Sequence, residues 1–274
     1  MIRKLHLIII AVLFWVPVKA QSSDDLLNNA IACADKGDYI CAEKFMDKLI
    51  KKEKEPKRLA LFYSNIGTFQ RRQGKTKDAF KSYSKAIEKN PFLVVAYTNR
   101  ASLYEQSGDV GKALADYESA LNINTNDETS LISRAILYER NGKRELAVKD
   151  LEYLISIDPK NFKARTNLAN IKKRQGKTDE ALSDFNDLIT EQPGEALLYN
   201  NRADLLMNQN KLQEALIDAE MAIKLDKTYQ ISYITKGEIL LKMGKKEEAC
   251  SEFTKAIDLG FSRERIVDLL KNCL

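Results

Sequence analysis

Histidine is nearly missing from this chain: among 274 residues, the one imidazole is that of His6. Serine and cysteine hydrolase triads, histidine general bases and the commonest zinc sites use an imidazole, so they have no candidate after residue 6. A Gly-rich loop of the kind that cradles phosphate is missing too, because most glycines occur singly. Carboxylates are numerous but spread out, with no apolar pocket evident that would raise one pKa. We therefore expect no enzyme, no catalytic residue, no cofactor and no metal.

Long apolar runs are rare, and the one that stands out covers residues 5–16, after Arg3 and Lys4 and before Ala20. This order resembles a secretory signal peptide, residues 1–20, cleaved before Gln21. The alternative is an uncleaved membrane anchor, although the run is shorter than the ~20 residues that a span needs. We expect a mature chain with no transmembrane span, exported to the periplasm or cell envelope of a Gram-negative bacterium or secreted from it.

An excess of one charge is missing as well. The formal net charge is +5, and it falls to +2 when Arg3, Lys4 and Lys19 leave with the leader. A nearly balanced chain offers no basic surface to nucleic acid, so we expect no such partner. One short basic run, residues 51–58, is interpreted as a loop or a frayed helix end.

What the sequence does contain is a pattern of about 34 residues that returns seven times. A small residue stands at position 8, and glycine stands at position 15 except where Asn210 replaces it. The alanine of position 20 never fails: it is Ala42, Ala79, Ala113, Ala147, Ala181, Ala215 and Ala249. One unit reads as two amphipathic helices with the glycine in the turn between them. Such a hairpin cannot bury its apolar surface alone, so the units must stack.

The residues of one unit resemble the tetratricopeptide repeat signature in order and spacing: Tyr63, Gly67, Gly74, Ala79, Tyr83, Ala86 and Pro91. We therefore expect an all-α fold, a right-handed α-solenoid of tandem helix-turn-helix repeats, of an exported bacterial type. The expected parts are a divergent first unit, six full units and a C-terminal capping helix, at residues 21–59, 60–93, 94–127, 128–161, 162–195, 196–229, 230–261 and 262–274. The cap would turn Ile266, Leu269 and Leu270 to one side.

The four cysteines fall into two local pairs, Cys33 with Cys41 and Cys250 with Cys273, out of three possible pairings. The first pair faces across a hairpin turn, and the second joins the last unit to the capping helix. We expect two disulfides that staple the two ends, which an exported compartment permits. The alternative, a four-cysteine zinc site, needs clustered spacing that these pairs lack.

Position 7 carries a basic residue in four units, and an acid follows sixteen residues later each time. The pairs are Arg100 with Asp116, Arg134 with Asp150, Arg202 with Asp218, and Lys236 with Glu252. We predict helix-to-helix ion pairs that fix the register of the hairpins. The alternative is an arginine row that binds an acidic ligand, which the matched acids would neutralise. Asp184 follows Leu168 instead, and it could reach Arg202 in the next unit.

The resemblance implies that a partner protein binds in a concave groove built mainly from the first helices. Asparagine recurs there at position 6, and basic residues recur at positions 12 and 13. The candidate partner-binding residues are Asn65, Arg71, Arg72, Asn99, Arg140, Asn167, Lys173, Arg174 and Asn201. These asparagine side chains can form hydrogen bonds with the backbone of a peptide. The alternative is that asparagine recurs there only because a polar helix face tolerates it. Despite Glu105 and Glu139, the groove is mildly basic, which favours an acidic segment.

The function that the resemblance implies is a non-enzymatic protein–protein interaction scaffold or adaptor of the bacterial envelope, which binds a peptide or helix of its partner. The alternative is a structural subunit of a secretion or outer-membrane assembly complex that uses convex or edge surfaces. A carbohydrate site would need exposed aromatic residues, and Tyr97, Tyr199 and Tyr233 stand at position 4, a packing position.

Overall fold

The computed structural model describes residues 22–273, and every regular element in that range is helical. Seven hairpins follow one another there: α1 Ser23–Asp35, α2 Tyr39–Lys52, α3 Pro56–Arg72, α4 Thr76–Lys89, α5 Val94–Gln106, α6 Val110–Ile123, α7 Glu128–Arg140, α8 Arg144–Ile157, α9 Phe162–Arg174, α10 Thr178–Glu191, α11 Ala196–Asn208, α12 Leu212–Leu225, α13 Gln230–Lys242 and α14 Lys246–Asp258. The predicted all-α fold is confirmed for these residues.

The described chain divides into two compact units, of which the first ends at Leu103 and the second begins at Tyr104. In the first unit, Leu103 packs on Ala79 and Tyr83. The second unit contains the helices from α6 to α14, and consecutive helices contact one another along it. Its core is a series of clusters, such as the one around Leu151, because each hairpin buries its apolar surface on the next.

The hairpins turn at position 15, where the backbone enters the left-handed region. Six glycines do so, with φ between 75° and 78°: Gly37, Gly74, Gly108, Gly142, Gly176 and Gly244. Asn210 takes the same conformation at φ 61°, and among the described residues it is the one residue other than glycine with positive φ. Asparagine tolerates this region better than most side chains do. The turn therefore forms in all seven hairpins.

The small residues at positions 8 and 20 bring the two helices of a hairpin close together. All seven position-20 alanines are fully buried. A Cβ on Gly67 would lie 2.7 Å from Cε1 of Tyr83, closer than real Cβ contacts, and a Cβ on Gly237 would meet the ring of Phe253. The aromatic ring thus occupies the space that the missing side chain leaves.

The basic run at residues 51–58 forms the predicted loop only at residues 53–55, which lie outside the helices. Its first two residues end α2, and α3 begins at Pro56, four residues before Ala60. Glu55 caps α3 by accepting from the backbone N–H groups of Lys57 and Arg58, at 3.0 and 2.8 Å. Proline suits the first helical position because its missing N–H needs no partner there.

The C-terminal segment differs from the expected single helix. Residues Arg263–Ile266 form a 3-10 turn, Val267–Leu270 form the short helix α15, and Lys271–Cys273 form a second 3-10 turn. The helix is interrupted because Ile266, at φ −123°, lies outside helical geometry. Ile266 is nevertheless buried against the last hairpin, and Leu269 and Leu270 pack on the same cluster.

No helix in the range 22–273 is long and apolar enough to cross a bilayer. The predicted signal peptide, residues 1–20, lies outside the described residues.

Candidate functional site

The first helices of the second unit form a continuous row, because α7 contacts α9, α9 contacts α11, and α11 contacts α13. We call the surface that these four helices form the first-helix face. Between α7 and α9 it contains a pocket of about 250 Å³ lined by Ala135, Ile136, Glu139, Arg140, Leu151, Asn167, Asn170, Ile171 and Arg174. Its floor is apolar and its rim carries amides and guanidinium groups. We call it the α7–α9 pocket.

Two ion pairs join first helices of successive hairpins with the same sequence spacing, one between α5 and α7 and one between α7 and α9. Arg140 Nη1 lies 2.8 Å from Glu105 Oε1, and Arg174 Nη1 lies 2.8 Å from Glu139 Oε2. The arginine side chains remain 64% and 51% exposed. Each predicted cation on this rim thus has an acid beside it, so the expected mildly basic groove is close to neutral here. The guanidinium groups keep further N–H donors for a ligand.

Glu105 also accepts a hydrogen bond from the hydroxyl of Tyr117, at 3.3 Å. Burial, as the largest cause, raises the pKa of Tyr117 to about 12. The hydroxyl therefore keeps its proton at neutral pH and holds the carboxylate that faces Arg140.

Lys173 acts as a link between α9 and α11 rather than as a free donor. Its Nζ lies 2.9 Å from Asp204 Oδ2 and 3.3 Å from Asn201 Oδ1. The lysine side chain is largely buried. Its ammonium group is therefore already paired within the fold.

The predicted asparagine row has members in both units, and they have different environments. In the second unit, Asn167 donates to the backbone oxygen of Lys163 at 2.8 Å, and Asn201 is 8% exposed with no partner for its Nδ2 among the described residues. In the first unit, Asn65 is exposed and Asn99 is half-buried. The row is therefore not a uniform set of free amides.

Arg71 and Arg72 stand at the end of α3 in the first unit. Arg72 is exposed, whereas Arg71 is half-buried beside Tyr83. Burial raises the pKa of Tyr83, and its hydrogen bonds with Thr68 and Arg71 oppose that shift. Arg71 is therefore placed to support the packing of its own hairpin, and Arg72 is the better surface candidate.

The structure brings together three of the four predicted position-7 pairs. Arg134 donates two hydrogen bonds of 2.8 Å to Asp150, and Arg202 donates two, of 2.7 and 2.8 Å, to Asp218. In each case the side-chain hydrogen bond with the aspartate is the largest cause that raises the pKa of the arginine. The third pair is looser: Lys236 Nζ lies 3.5 Å from Glu252 and 3.1 Å from Glu220.

Asp184 does not reach Arg202, so that alternative is wrong. Lys172, in the same hairpin, holds Asp184 at 2.7 Å, while Arg202 already donates to Asp218 and to Asn186. Arg100 lies in the first unit, where it donates to Ser84 Oγ at 3.0 Å. Its pairing with Asp116 stays a prediction.

The cysteines come together in the two predicted pairs. The Cα atoms of Cys33 and Cys41 are 5.7 Å apart, and so are those of Cys250 and Cys273. This separation fits a disulfide. The structure joins both pairs and leaves no described cysteine free.

The position-4 tyrosines are used in packing. The guanidinium carbons of Arg100 and Arg202 lie 5.9 and 5.7 Å from the ring centres of Tyr97 and Tyr199. Tyr233 donates its hydroxyl to the backbone oxygen of Lys227 at 3.1 Å. All three rings are half-buried and form no exposed platform for a sugar.

Two features of the first-helix face were missed by sequence reasoning. Position 9 becomes acidic toward the end of the chain, as Asp204 and Glu238, and position 2 carries Leu197 and Ile231, which are 39% and 44% exposed. A comparison of each position down the four helices, rather than along one unit, would have found both. Among residues 22–273, no group of three or more His, Cys, Asp or Glu side chains could hold a metal ion.

Sequence profiles described as tetratricopeptide repeat match residues 82–115, 132–194, 166–229 and 231–259. A tetratricopeptide repeat protein from Parabacteroides merdae ATCC 43184, known from its crystal structure, is 33% identical, and the match covers 91% of this chain and 98% of that one with a TM-score of 0.77. No curated protein matches the chain in sequence.

Two further solved structures share the fold at lower identity. PilF of Pseudomonas aeruginosa is 17% identical, over 73% of this chain and 90% of that one, with a TM-score of 0.62. YrrB, described as a TPR protein with an unusual peptide-binding site, is 21% identical, over 68% of this chain and 95% of that one, with a TM-score of 0.52.

Proposed function

Because the chain belongs to the tetratricopeptide repeat family, we propose that it is a non-enzymatic scaffold that holds a segment of a partner protein against the first-helix face of its second unit. The observation that carries the proposal is the α7–α9 pocket. It offers an apolar floor and a rim of hydrogen-bonding groups on one surface. Peptide sites commonly combine these features, since apolar contacts give affinity and polar groups fix position.

The rim favours a segment with an acidic residue at this point. Arg140 and Arg174 each use one terminal nitrogen on a glutamate and remain more than half exposed. A guanidinium has five N–H donors in a planar fork, so the unused edge can bind a carboxylate of the partner. Asn170 also lines the pocket and can pair with the partner's backbone.

The location that we propose is the bacterial envelope, with residues 1–20 as the export signal. The two cysteine pairs support it, because disulfides persist in oxidising compartments and are rare in the cytosol. Fractionation of cells, with N-terminal sequencing of the mature protein, tests this part. A chain that keeps residue 1 and remains in the cytosol would contradict it.

A second candidate function is a structural subunit that binds through its second helices. Ile217, on α12, is 58% exposed at the edge of a depression that Leu182 and Leu206 also line. An exposed isoleucine beside other apolar side chains suits a broad contact with another subunit. Ile217→Asp would remove this contact while leaving the α7–α9 pocket intact.

The test uses the oxidised mature protein as bait in a membrane and periplasmic extract, with mass spectrometry as the readout. Asn170→Arg places a long cation on the rim of the pocket. Asn122→Arg makes the same substitution at an exposed position on α6 and is the matched control. We expect a partner that both the native chain and the Asn122→Arg variant capture and that Asn170→Arg loses.

Two other outcomes are informative. Identical partners on all three baits would contradict binding at the pocket, and their loss with Ile217→Asp would favour the second function. Circular dichroism must show equal melting temperatures for the two asparagine variants, so that a lost partner reports the surface and not the fold.

A further inference from the structure

The first-helix face changes its chemistry between its two ends. Position 9 is Ile136 on α7 and Asn170 on α9, and then Asp204 on α11 and Glu238 on α13. The two carboxylates stand at equivalent positions of neighbouring helices. The charge of Asp204 contributes to the raised pKa of Glu238, after the larger effect of burial. The end of the face at α11 and α13 is therefore acidic, whereas the end at α7 and α9 has an apolar and a neutral residue at this position.

Only one of the two carboxylates has a partner. Asp204 pairs with Lys173 at 2.9 Å. Within the described chain, Glu238 makes no hydrogen bond and no ion pair, although it is half-buried, and Lys242 influences it only through its charge. A half-buried carboxylate without a hydrogen bond or an ion pair is unfavourable. No such contact within the described chain stabilises Glu238.

A second, independent group in the same place lacks a partner. Asn201 is 8% exposed, and its Oδ1 accepts from the Lys173 Nζ that also holds Asp204. Its Nδ2 has no acceptor within the described chain. A buried N–H donor without an acceptor costs stability, and a carbonyl oxygen supplied from outside would satisfy it. We call Asn201, Asp204 and Glu238 the acidic patch.

Apolar side chains lie beside this patch. Leu197 and Ile231 occupy the first turns of α11 and α13, and both are exposed. Each stands seven residues before the carboxylate of its own helix, which is about 10 Å along the axis. An apolar contact and a pair of carboxylates are thus available on one strip of surface.

We propose that the acidic patch binds a lysine or arginine side chain of the partner segment, while Leu197 and Ile231 contact an apolar residue of the same segment. This proposal rests on the function proposed above and deepens it. The cation is a side chain and not a metal ion, because two carboxylates fall short of the six to eight oxygen ligands that a hard cation such as Ca²⁺ takes. The spacing of about 10 Å corresponds to three residues of an extended peptide or seven residues of a helix.

The two ends of the face then fix the direction of the bound segment. An acidic residue lies over Arg140 and Arg174, and a basic residue lies over Asp204 and Glu238. A segment in the reverse direction would place like charges together, which complementary interfaces avoid. The distribution of charge along the first helices thus sets the orientation of the bound segment.

The experiment is a selection of displayed random ten-residue peptides on the native mature protein and on three variants. Asp204→Asn with Glu238→Gln removes both charges and keeps the shapes, and Glu238→Gln alone spares the link to Lys173. Asp187→Asn with Glu247→Gln makes the same charge change on exposed positions of α10 and α14 and is the control.

We expect the native chain and the control to select peptides with lysine or arginine at a fixed distance from an apolar residue. Both patch variants should lose that preference, and a selected peptide should bind the double variant about tenfold more weakly or worse. At neutral pH, Glu238→Gln should melt no lower than the native chain, which separates a binding role from a structural one.

Two results would overturn the inference. Peptides selected without a basic residue, or with the same basic preference on every variant, would remove the role of the patch and leave the proposed scaffold function standing. No selected peptide on the native chain would count against both.

Discussion

The second unit holds two sets of arginine–carboxylate pairs with nearly equal distances and very different surroundings. Arg134–Asp150 and Arg202–Asp218 lie within hairpins, with the aspartates 9% and 7% exposed. Arg140–Glu105 and Arg174–Glu139 join first helices of successive hairpins, and there the arginines are more than half exposed. The distance between partners therefore says little about their role. Shelter from water decides which pairs hold the fold together and which can accept a partner.

The largest effect is expected from breaking a sheltered pair. Arg134→Met leaves Asp150 buried without a counter-charge, which should cost about 3 kcal/mol of unfolding free energy. Urea unfolding followed by circular dichroism measures it. Arg134→Asp and Asp150→Arg should each destabilise the chain, and their combination should recover part of the loss. No recovery in the reversed pair would show that the two side chains do not stabilise each other.

A smaller loss of unfolding free energy should follow when the positive charge is kept but the planar guanidinium group is replaced by an ammonium group. Arg202→Lys retains a cation but cannot make both hydrogen bonds to Asp218, so we expect a loss of about 1–2 kcal/mol. Arg174→Lys makes the same change on the first-helix face and is the matched control. Its expected loss is below about 0.5 kcal/mol, because water already solvates that guanidinium. Equal losses in the two variants would contradict the comparison.

The sheltered pairs could be predicted from the sequence, and the exposed pairs could not. The repeat fixes how the two helices of one hairpin face each other, so an offset of sixteen residues places Arg134 against Asp150. Arg140 and Glu105 are 35 residues apart and belong to successive hairpins, so their contact depends on how those hairpins are rotated against each other. Turn glycines and buried alanines, which one hairpin determines alone, were predictable for the same reason.

The sequence-based predictions that failed concern contacts beyond a single hairpin. Asp184 was expected to reach Arg202, but Lys172 pairs with it because their own hairpin already brings the two side chains together. The interrupted cap at Ile266 was not foreseen, because helical spacing of apolar residues does not reveal where the backbone must bend to bury one of them. The acidic patch was missed because it arises between hairpins.

Removal of the exposed pairs should lower the unfolding free energy only slightly but should weaken binding of the partner strongly. Arg140→Ala with Arg174→Ala is expected to lower the unfolding free energy by less than about 1 kcal/mol per pair. The same double variant should lose the partner that the native bait captures from the extract. Arg202→Lys, which changes a sheltered pair, should keep that partner. A partner retained by the alanine variant would assign these arginines to the fold after all.

Glu238 belongs neither to the sheltered pairs nor to the exposed pairs. Its replacement should have the smallest effect on stability, and that effect should be a gain. Burial and Asp204 raise its pKa in the folded chain, against a weaker influence of Lys242. The folded state then binds more protons than the unfolded state between the ordinary carboxyl pKa and the raised one, so the stability of the native chain falls as pH rises through that window. The amide of Glu238→Gln does not titrate, so the variant does not lose stability in this pH window. The two melting temperatures should therefore agree at acidic pH, below the ordinary carboxyl pKa, and diverge in favour of the variant toward neutral pH. If the native chain instead becomes more stable than the glutamine variant as pH rises, Glu238 has a stabilising partner.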